Sequence, residues 1–125
     1  MEAHRPVHLT VPAEPSSVRL ARLVAAGVAA DAGLSIDDTE DLRIAVSELV
    51  ALLIEGPSGG DATITYRRRP GEVAVEGECR CTVPSEGPVD DLALEILRVV
   101  LDDHAFEVDG DVRRFRLVKR ARTIA

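Results

Sequence analysis

The chain has 125 residues, of which 46% are apolar and 30% are charged, and its formal net charge is −7. This length suits one domain with its own core, so we expect a single domain over residues 1–125. No apolar run approaches the roughly 20 residues that cross a bilayer, and the first six residues lack a signal-peptide core, so we expect a cytoplasmic protein. The negative charge argues against direct nucleic-acid binding.

The first half of the chain predicts one strand and two helices. Alternating apolar and polar residues predict a strand over Val7–Val11. A helix from about residue 16 to Ala32 follows, and Gly33 suits its end. Its apolar stripe consists of Leu20, Leu23, Val24 and Val28. The segment Ser35–Asp38 resembles a capping box and opens a second helix that runs to about Glu55. The residues predicted to face inward are Leu42, Ala45, Leu49 and Leu53.

The second half predicts two hairpins separated by a helix. The first hairpin joins strands 62–66 and 73–83 through the turn Pro70-Gly71. The third helix spans about residues 89–103, and the last hairpin joins strands 106–108 and 112–119 through Asp109-Gly110-Asp111. The order β-α-α-β-β-α-β-β predicts an α+β two-layer sandwich, with three helices on one face of a mostly antiparallel sheet.

Basic residues and cysteines are clustered. The basic positions are Arg67, Arg68, Arg69, Arg113, Arg114, Arg116, Lys119, Arg120 and Arg122. We interpret them as a solvated sheet edge where charge blocks aggregation, and a surface for an acidic protein partner is the open alternative. Cys79 and Cys81 are predicted to be buried thiols on one strand face. No second cysteine pair accompanies them, so we expect no metal site.

The stretch Val46–Ile54 of the second helix resembles the signature helix of the GHKL (histidine kinase-like) ATPase superfamily. The chain is most similar to the anti-sigma-factor serine kinases of that superfamily, in their actinobacterial form with a degenerate ATP site. Further matches are Leu20-Ala21-Arg22, Leu101-Asp102-Asp103 and the segment from Phe115 to Arg120. The resemblance covers about residues 7–120 and implies the histidine kinase-like ATPase fold.

The resemblance also implies an ATP site, and several positions depart from the family pattern. The family motif reads Glu-x-x-x-Asn; Glu48 takes the first place as a remnant general base, whereas Leu52 replaces the asparagine that holds Mg²⁺. Leucine offers no oxygen ligand. Glu48 is equally consistent with a plain helix carboxylate, solvated or paired with Arg43 or another cation.

The other nucleotide motifs are altered as well. Residues 76–81 contain one glycine where the adenine motif Asp-x-Gly-x-Gly is expected. The third helix opens with Asp90 and Asp91, whose charges would repel a phosphate at the helix N-terminus. Residues 84–89 form a short link where the family has a lid. We therefore expect no efficient ATP or Mg²⁺ binding.

By resemblance, the chain is an anti-sigma-factor-like regulator of transcription, a pseudo-kinase that binds a sigma factor or a STAS-type anti-anti-sigma protein. Arg19 and Arg22 on the first helix would contact that partner, although arginines there are also consistent with a plain exposed helix face. A homodimer is consistent with the resemblance. Two alternatives stay open: an active ATP-dependent serine kinase of a STAS antagonist, and a scaffold domain for another protein partner.

Overall fold

The computed structural model describes residues 5–55, 60–80 and 91–122. The elements in chain order are β1 (Val7–Pro12), α1 (Ser17–Asp31), α2 (Ile36–Leu53), β2 (Asp61–Arg69), β3 (Glu72–Arg80), α3 (Asp91–Val100), β4 (Asp103–Asp109) and β5 (Val112–Arg120). The strands form one five-stranded sheet in the order β1-β2-β3-β5-β4, and every pair in it is antiparallel. The predicted α+β architecture with three helices is confirmed. In the described part of the chain, no helix is both long and apolar enough to cross a membrane.

Helix α1 packs on the sheet mainly through small side chains. Its buried apolar residues are Ala21, Ala25, Val28 and Ala29. The hydroxyl of the buried Tyr66 on β2 donates to the carbonyl oxygen of Ala21 at 2.8 Å, so the helix lies close to the strand. The prediction that Leu20 and Leu23 share the stripe of Val28 is wrong, because these leucines are 46% and 55% exposed. Alanines fit a close helix–strand contact that leucines would overfill.

The junction between α1 and α2 follows the predicted signals. Gly33 has a φ of 76°, which a side-chain-bearing residue adopts at a cost. The N–H of Gly33 donates to Ala30 and that of Leu34 to Ala29, the hydrogen-bond pattern of a Schellman motif. The hydroxyl of Ser35 then accepts from the backbone N–H of Asp38 at 3.1 Å and caps α2. The four residues predicted to point inward from α2 are fully buried.

The predicted boundary between the third helix and the next strand is wrong. Helix α3 ends at Val100 rather than Asp103, and β4 begins at Asp103 rather than Phe106. The backbone N–H of Asp102 already donates to the carbonyl oxygen of Val118 on β5, at 3.1 Å. Sheet pairing therefore overrides helical periodicity in this segment. Gly110, with a φ of 62°, lies in the predicted turn that joins β4 to β5.

The basic strand β5 lies inside the sheet, between β3 and β4, so its interpretation as a sheet edge is wrong. Its side chains alternate between the two faces. Arg113 and Lys119 are buried on the helix side, whereas Arg114 and Arg116 are exposed on the other side. Cys79 is buried as predicted, and Cys81 lies outside the described residues.

Candidate functional site

Helices α1 and α2 form a shallow cleft, here named the α1–α2 cleft, of about 210 Å³. Its lining residues are Arg22, Glu40, Arg43, Ile44, Ser47 and Glu48. Two side chains singled out from the sequence, Arg22 and Glu48, therefore line the same cleft, one from each helix. Arg19 is exposed on α1 and is not part of the lining.

The charges in the α1–α2 cleft are only partly paired. Arg43 forms an ion pair with Glu40 at 3.1 Å, and the hydroxyl of Ser47 donates to the carbonyl oxygen of Arg43 at 2.8 Å. Within the described residues, neither Glu48 nor Arg22 forms an ion pair. The predicted alternative of a Glu48–Arg43 pair is therefore not found. The Nε atoms of Arg22 and Arg43 are buried and have no hydrogen-bond acceptor in the described structure.

Leu52, which by resemblance stands at the asparagine position of the family motif, is used for packing. The side chain of Leu52 is half-buried and packs against the core. Its carbonyl oxygen accepts a hydrogen bond from Nη1 of Arg113 at 3.3 Å, and the same nitrogen donates to the carbonyl oxygens of Leu53 and Glu55. The buried guanidinium of Arg113 thus donates hydrogen bonds to the carbonyl oxygens at the end of α2. Its positive charge there also interacts favourably with the negative end of the helix dipole.

The sequence analysis assigns Arg113 to a solvated sheet edge and misses its contacts with α2, because Arg113 is about 60 positions from the carbonyls that it binds. The alternation of side chains along β5 could have revealed this contact. Arg113 lies two positions before the apolar Phe115 and four before Leu117, so all three side chains lie on the face of the sheet that the helices cover. A buried arginine needs hydrogen-bond acceptors, and a helix C-terminus supplies them.

The single glycine of the altered adenine motif has a structural explanation. Gly77 lies inside strand β3 opposite Phe115 of β5, so the strand continues where the family motif would interrupt it. A Cβ atom on Gly77 would lie within 2.1 Å of the Phe115 ring. The aromatic ring therefore occupies the space above the glycine and packs into the core.

Two of the motif positions that the structure describes, those of Leu52 and Gly77, lack the groups that the resemblance implies for a magnesium-bridged nucleotide. Leu52 supplies no oxygen to a hard cation, which takes oxygen ligands. Gly77 is covered by a protein side chain and lies in a regular strand. Helix α3 begins at Asp91, but the side chain of Asp91, Asp90 and the short link at 84–89 lie outside the described residues.

A buried ionic cluster holds the other end of α2. Lys119 of β5 is 3.6 Å from Asp38 and 3.4 Å from Asp41, and it donates to the carbonyl oxygen of Val100 at 2.9 Å. Asp38 also accepts from the backbone N–H of Arg122 at 3.0 Å. Burial raises the pKa of Asp38, but this hydrogen bond and the Lys119 charge outweigh burial and hold the pKa below its ordinary value. The cluster joins α2 and β5 to the end of α3.

Comparisons with known proteins place this geometry in context. The sequence matches the histidine kinase-like ATPase domain over residues 11–104. The serine-protein kinase RsbW of Listeria monocytogenes serotype 4a (strain HCC23) is 39% identical over 67 residues, which is 50% of this chain and 43% of that protein. The same kinase of Bacillus cereus (strain AH187) is 32% identical over 75 residues, or 60% of this chain and 42% of that protein. The matches thus span less than half the length of these relatives.

A solved structure shares the fold. The crystal structure of the RsbU and RsbW domains of Rv1364c from Mycobacterium tuberculosis superposes with a TM-score of 0.75 at 18% identity. The match covers 98% of this chain and 35% of that one. The element order, the signature stretch on α2 and the match over residues 11–104 agree with one another. The chain belongs to the histidine kinase-like ATPase domain family.

Proposed function

We propose that this protein is an anti-sigma-factor-like regulator that binds a sigma factor or a STAS-type anti-anti-sigma protein through protein contacts, without efficient ATP binding. The observation that carries the proposal is Leu52, which packs against the core at the position where the family holds a magnesium ligand. The histidine kinase-like fold is kept, whereas Leu52 packs against the core at one motif position and the Phe115 ring covers Gly77 at another. A fold kept without its cofactor chemistry is consistent with a binding role.

The surface of α1 supports a protein partner. Its only charged residues are Arg19, Arg22 and Asp31, and Leu20 and Leu23 are about half exposed. Exposed leucines beside two arginines on one helix are consistent with the composition of a protein interface. We therefore place the partner contact on α1, around Arg19 and Arg22.

The opposite face of the sheet is less suited to a tight interface. It carries cross-strand ion pairs between Arg67 and Glu76, at 3.0 Å, and between Arg114 and Glu78, at 3.7 Å. The charged groups of such exposed pairs are already solvated by water and paired with one another, so a partner would gain little by covering them. If the protein forms a homodimer, as the family resemblance suggests, α1 is the better candidate surface. We further propose that residues 1–125 act as one domain in the cytoplasm.

A second candidate, an active serine kinase, is favoured by Glu48. This carboxylate is half-buried, lines the α1–α2 cleft and makes no ion pair within the described residues, so it is available as a base. The relatives named above are serine-protein kinases, but they are matched over less than half of their length. A base acts in phosphoryl transfer only when a nucleotide is held in front of it.

Isothermal titration with ATP and Mg²⁺ separates the two candidates. The proposal predicts no measurable heat at millimolar nucleotide, together with binding to at least one purified sigma factor or STAS protein of the source organism. ATP binding with transfer of phosphate to a STAS protein would favour the kinase. Binding to neither class of protein would leave a scaffold for another partner.

A further inference from the structure

The outer face of α1 carries an apolar stripe. Leu20 is 46% exposed and Leu23 is 55% exposed. Gly27 and Ala30, about one and two turns beyond Leu23, are exposed as well. These four positions fall within about 80° of the helix circumference at 3.6 residues per turn, so they form one surface, here named the α1 stripe. Exposed leucines on one side of a helix suit contact with another protein surface.

Packing within the chain does not explain the glycine of the stripe. A Cβ atom on Gly27 would have no heavy atom within 4 Å, so no neighbour in the described structure requires a glycine there. Glycine also lowers helix stability relative to alanine. What glycine provides at such a position is room for close approach from outside. Gly27 and Ala30 therefore form a shallow notch in the C-terminal half of the stripe, whereas Leu20 and Leu23 project from its N-terminal half.

The α1 stripe is complementary to itself. Leu23 and Gly27 lie two positions before and after Ala25. Leu20 and Ala30 lie five positions before and after it. In an antiparallel pair of α1 helices with a two-fold axis at Ala25, each leucine of one copy therefore faces a small residue of the other. Such pairing lets the helix axes approach to about 8 Å, the short end of helix packing distances.

The charges at the two ends of the stripe follow the same symmetry. Arg19 and Asp31 lie six positions before and after Ala25. Arg19 is exposed and forms no ion pair within the described residues. The side chain of Asp31 is 58% exposed, although its Oδ2 is 3.2 Å from Nε of Arg68. An antiparallel pair brings these opposite charges together at both ends, whereas a parallel pair would bring like charges together.

The size of this surface indicates a reversible contact. Helix α1 has 15 residues, which gives a length of about 22 Å at about 1.5 Å per residue. One pair of such helices buries less than the roughly 1,200 Å² at which stable complexes begin. A contact of this size forms and dissociates readily, so another protein can displace it.

We propose that a second copy of this chain covers the α1 stripe in the free protein, antiparallel about Ala25, and that this self-association competes with partner binding. The competition arises because the surface assigned to the partner includes Arg19 and the two exposed leucines. The competition rests on the proposed function. The self-association does not, so it can be measured on the isolated protein.

The first experiment is sedimentation equilibrium of the isolated protein. Wild type should show a monomer–dimer equilibrium in the micromolar range. Gly27→Glu places a longer, charged side chain against the leucine of the second copy and should weaken the dimer about tenfold or more. Ala51→Glu is the matched control, because it adds the same residue at an exposed position of α2, and its effect should stay below about twofold. A monomeric wild type, or equal dimerisation of the two variants, would overturn the proposal.

A charge exchange tests the antiparallel arrangement. Arg19→Glu and Asp31→Lys should each weaken self-association, because each variant alone brings like charges together at both ends of the pair. An equimolar mixture of the two variants should associate more strongly than either alone, since opposite charges then meet again at both ends. Single variants that associate as strongly as wild type, or a mixture no stronger than the single variants, would contradict this arrangement.

The competition is tested with each purified sigma factor or STAS protein of the source organism that binds wild type. Its complex should contain one copy of this chain, and its apparent affinity should fall as the chain is concentrated above its own dimer dissociation constant. A complex that retains paired copies would overturn the competition. If none of these proteins binds wild type, the proposed function fails, and sedimentation still decides the self-association.

Discussion

Nη1 of Arg113 lies 3.3 Å from the carbonyl oxygen of Leu52, and this contact links strand β5 to the C-terminal end of α2. We predict that Arg113→Met lowers the free energy of unfolding by about 2–3 kcal/mol, because it leaves buried carbonyls without a donor. Chemical denaturation measures this change. Arg114→Met is the control, since Arg114 is exposed on the other face, and its effect should stay below about 1 kcal/mol. Equal losses of stability in the two variants would contradict the role of Arg113 as a hydrogen-bonding cap of the α2 C-terminus.

The contact between Gly77 and the Phe115 ring yields a second stability prediction. Gly77→Ala should destabilise the protein by about 1–3 kcal/mol, because the added Cβ overlaps the ring. Gly27→Ala should instead stabilise it by about 0.5–1 kcal/mol, since Gly27 lies in α1 with open space around it. Thermal unfolding of both variants distinguishes the two environments. A harmless Gly77→Ala would mean that the ring moves away easily.

The lowered pKa of Asp38 predicts a specific pH dependence. A carboxyl whose pKa is lower in the folded state stabilises the fold above its unfolded pKa, and this stabilisation disappears as the pH falls through the folded pKa. The wild-type protein should therefore lose this contribution below about pH 4. Asp38→Asn should be less stable than wild type at pH 7, and the difference should shrink in acid.

The control for this measurement is Asp37→Asn, because Asp37 is the exposed neighbour of Asp38 in the first turn of α2. The free energy of unfolding of Asp37→Asn should differ little from that of wild type at pH 7. If Asp37→Asn and Asp38→Asn gave the same pH profile, the ionic cluster with Lys119 would not be the cause.

Glu48 supplies a prediction that separates binding from catalysis. Glu48→Gln removes a possible catalytic base from the α1–α2 cleft but no contact that the proposed binding role requires, so partner affinity should change less than about threefold. An active kinase would instead lose phosphate transfer when its base is removed. Titration of wild type and Glu48→Gln with the same partner, beside a phosphorylation assay, distinguishes these outcomes. A loss of phosphate transfer with unchanged partner binding by Glu48→Gln would contradict the non-catalytic role.

Most of the element order could be predicted from sequence because the signals are local. The cap at Ser35, the stop at Gly33 and the turn at Gly110 each act within a few residues. The inward face of α2 follows from its periodicity. The order of the strands in the sheet is a long-range property, so local sequence signals do not reveal that β5 lies inside the sheet.

The parts that could not be predicted depend on contacts between distant residues. The length of α3 is set by pairing of Asp103 with Val118, and the exposure of Leu23 by the closeness of α1 to Tyr66. Glu48 and Arg22 were each identified from the sequence by resemblance. Their meeting in one cleft, and the part played there by Arg43, required the fold.

The most direct measurement is the affinity of one purified sigma factor or STAS partner for the wild-type protein, titrated with and without millimolar ATP and Mg²⁺. Leu52 leaves no metal ligand at its position, so nucleotide should not affect partner binding. The proposal predicts dissociation constants that agree within about twofold in the two conditions, with no heat from nucleotide alone. A partner affinity that changes tenfold or more with ATP would contradict it.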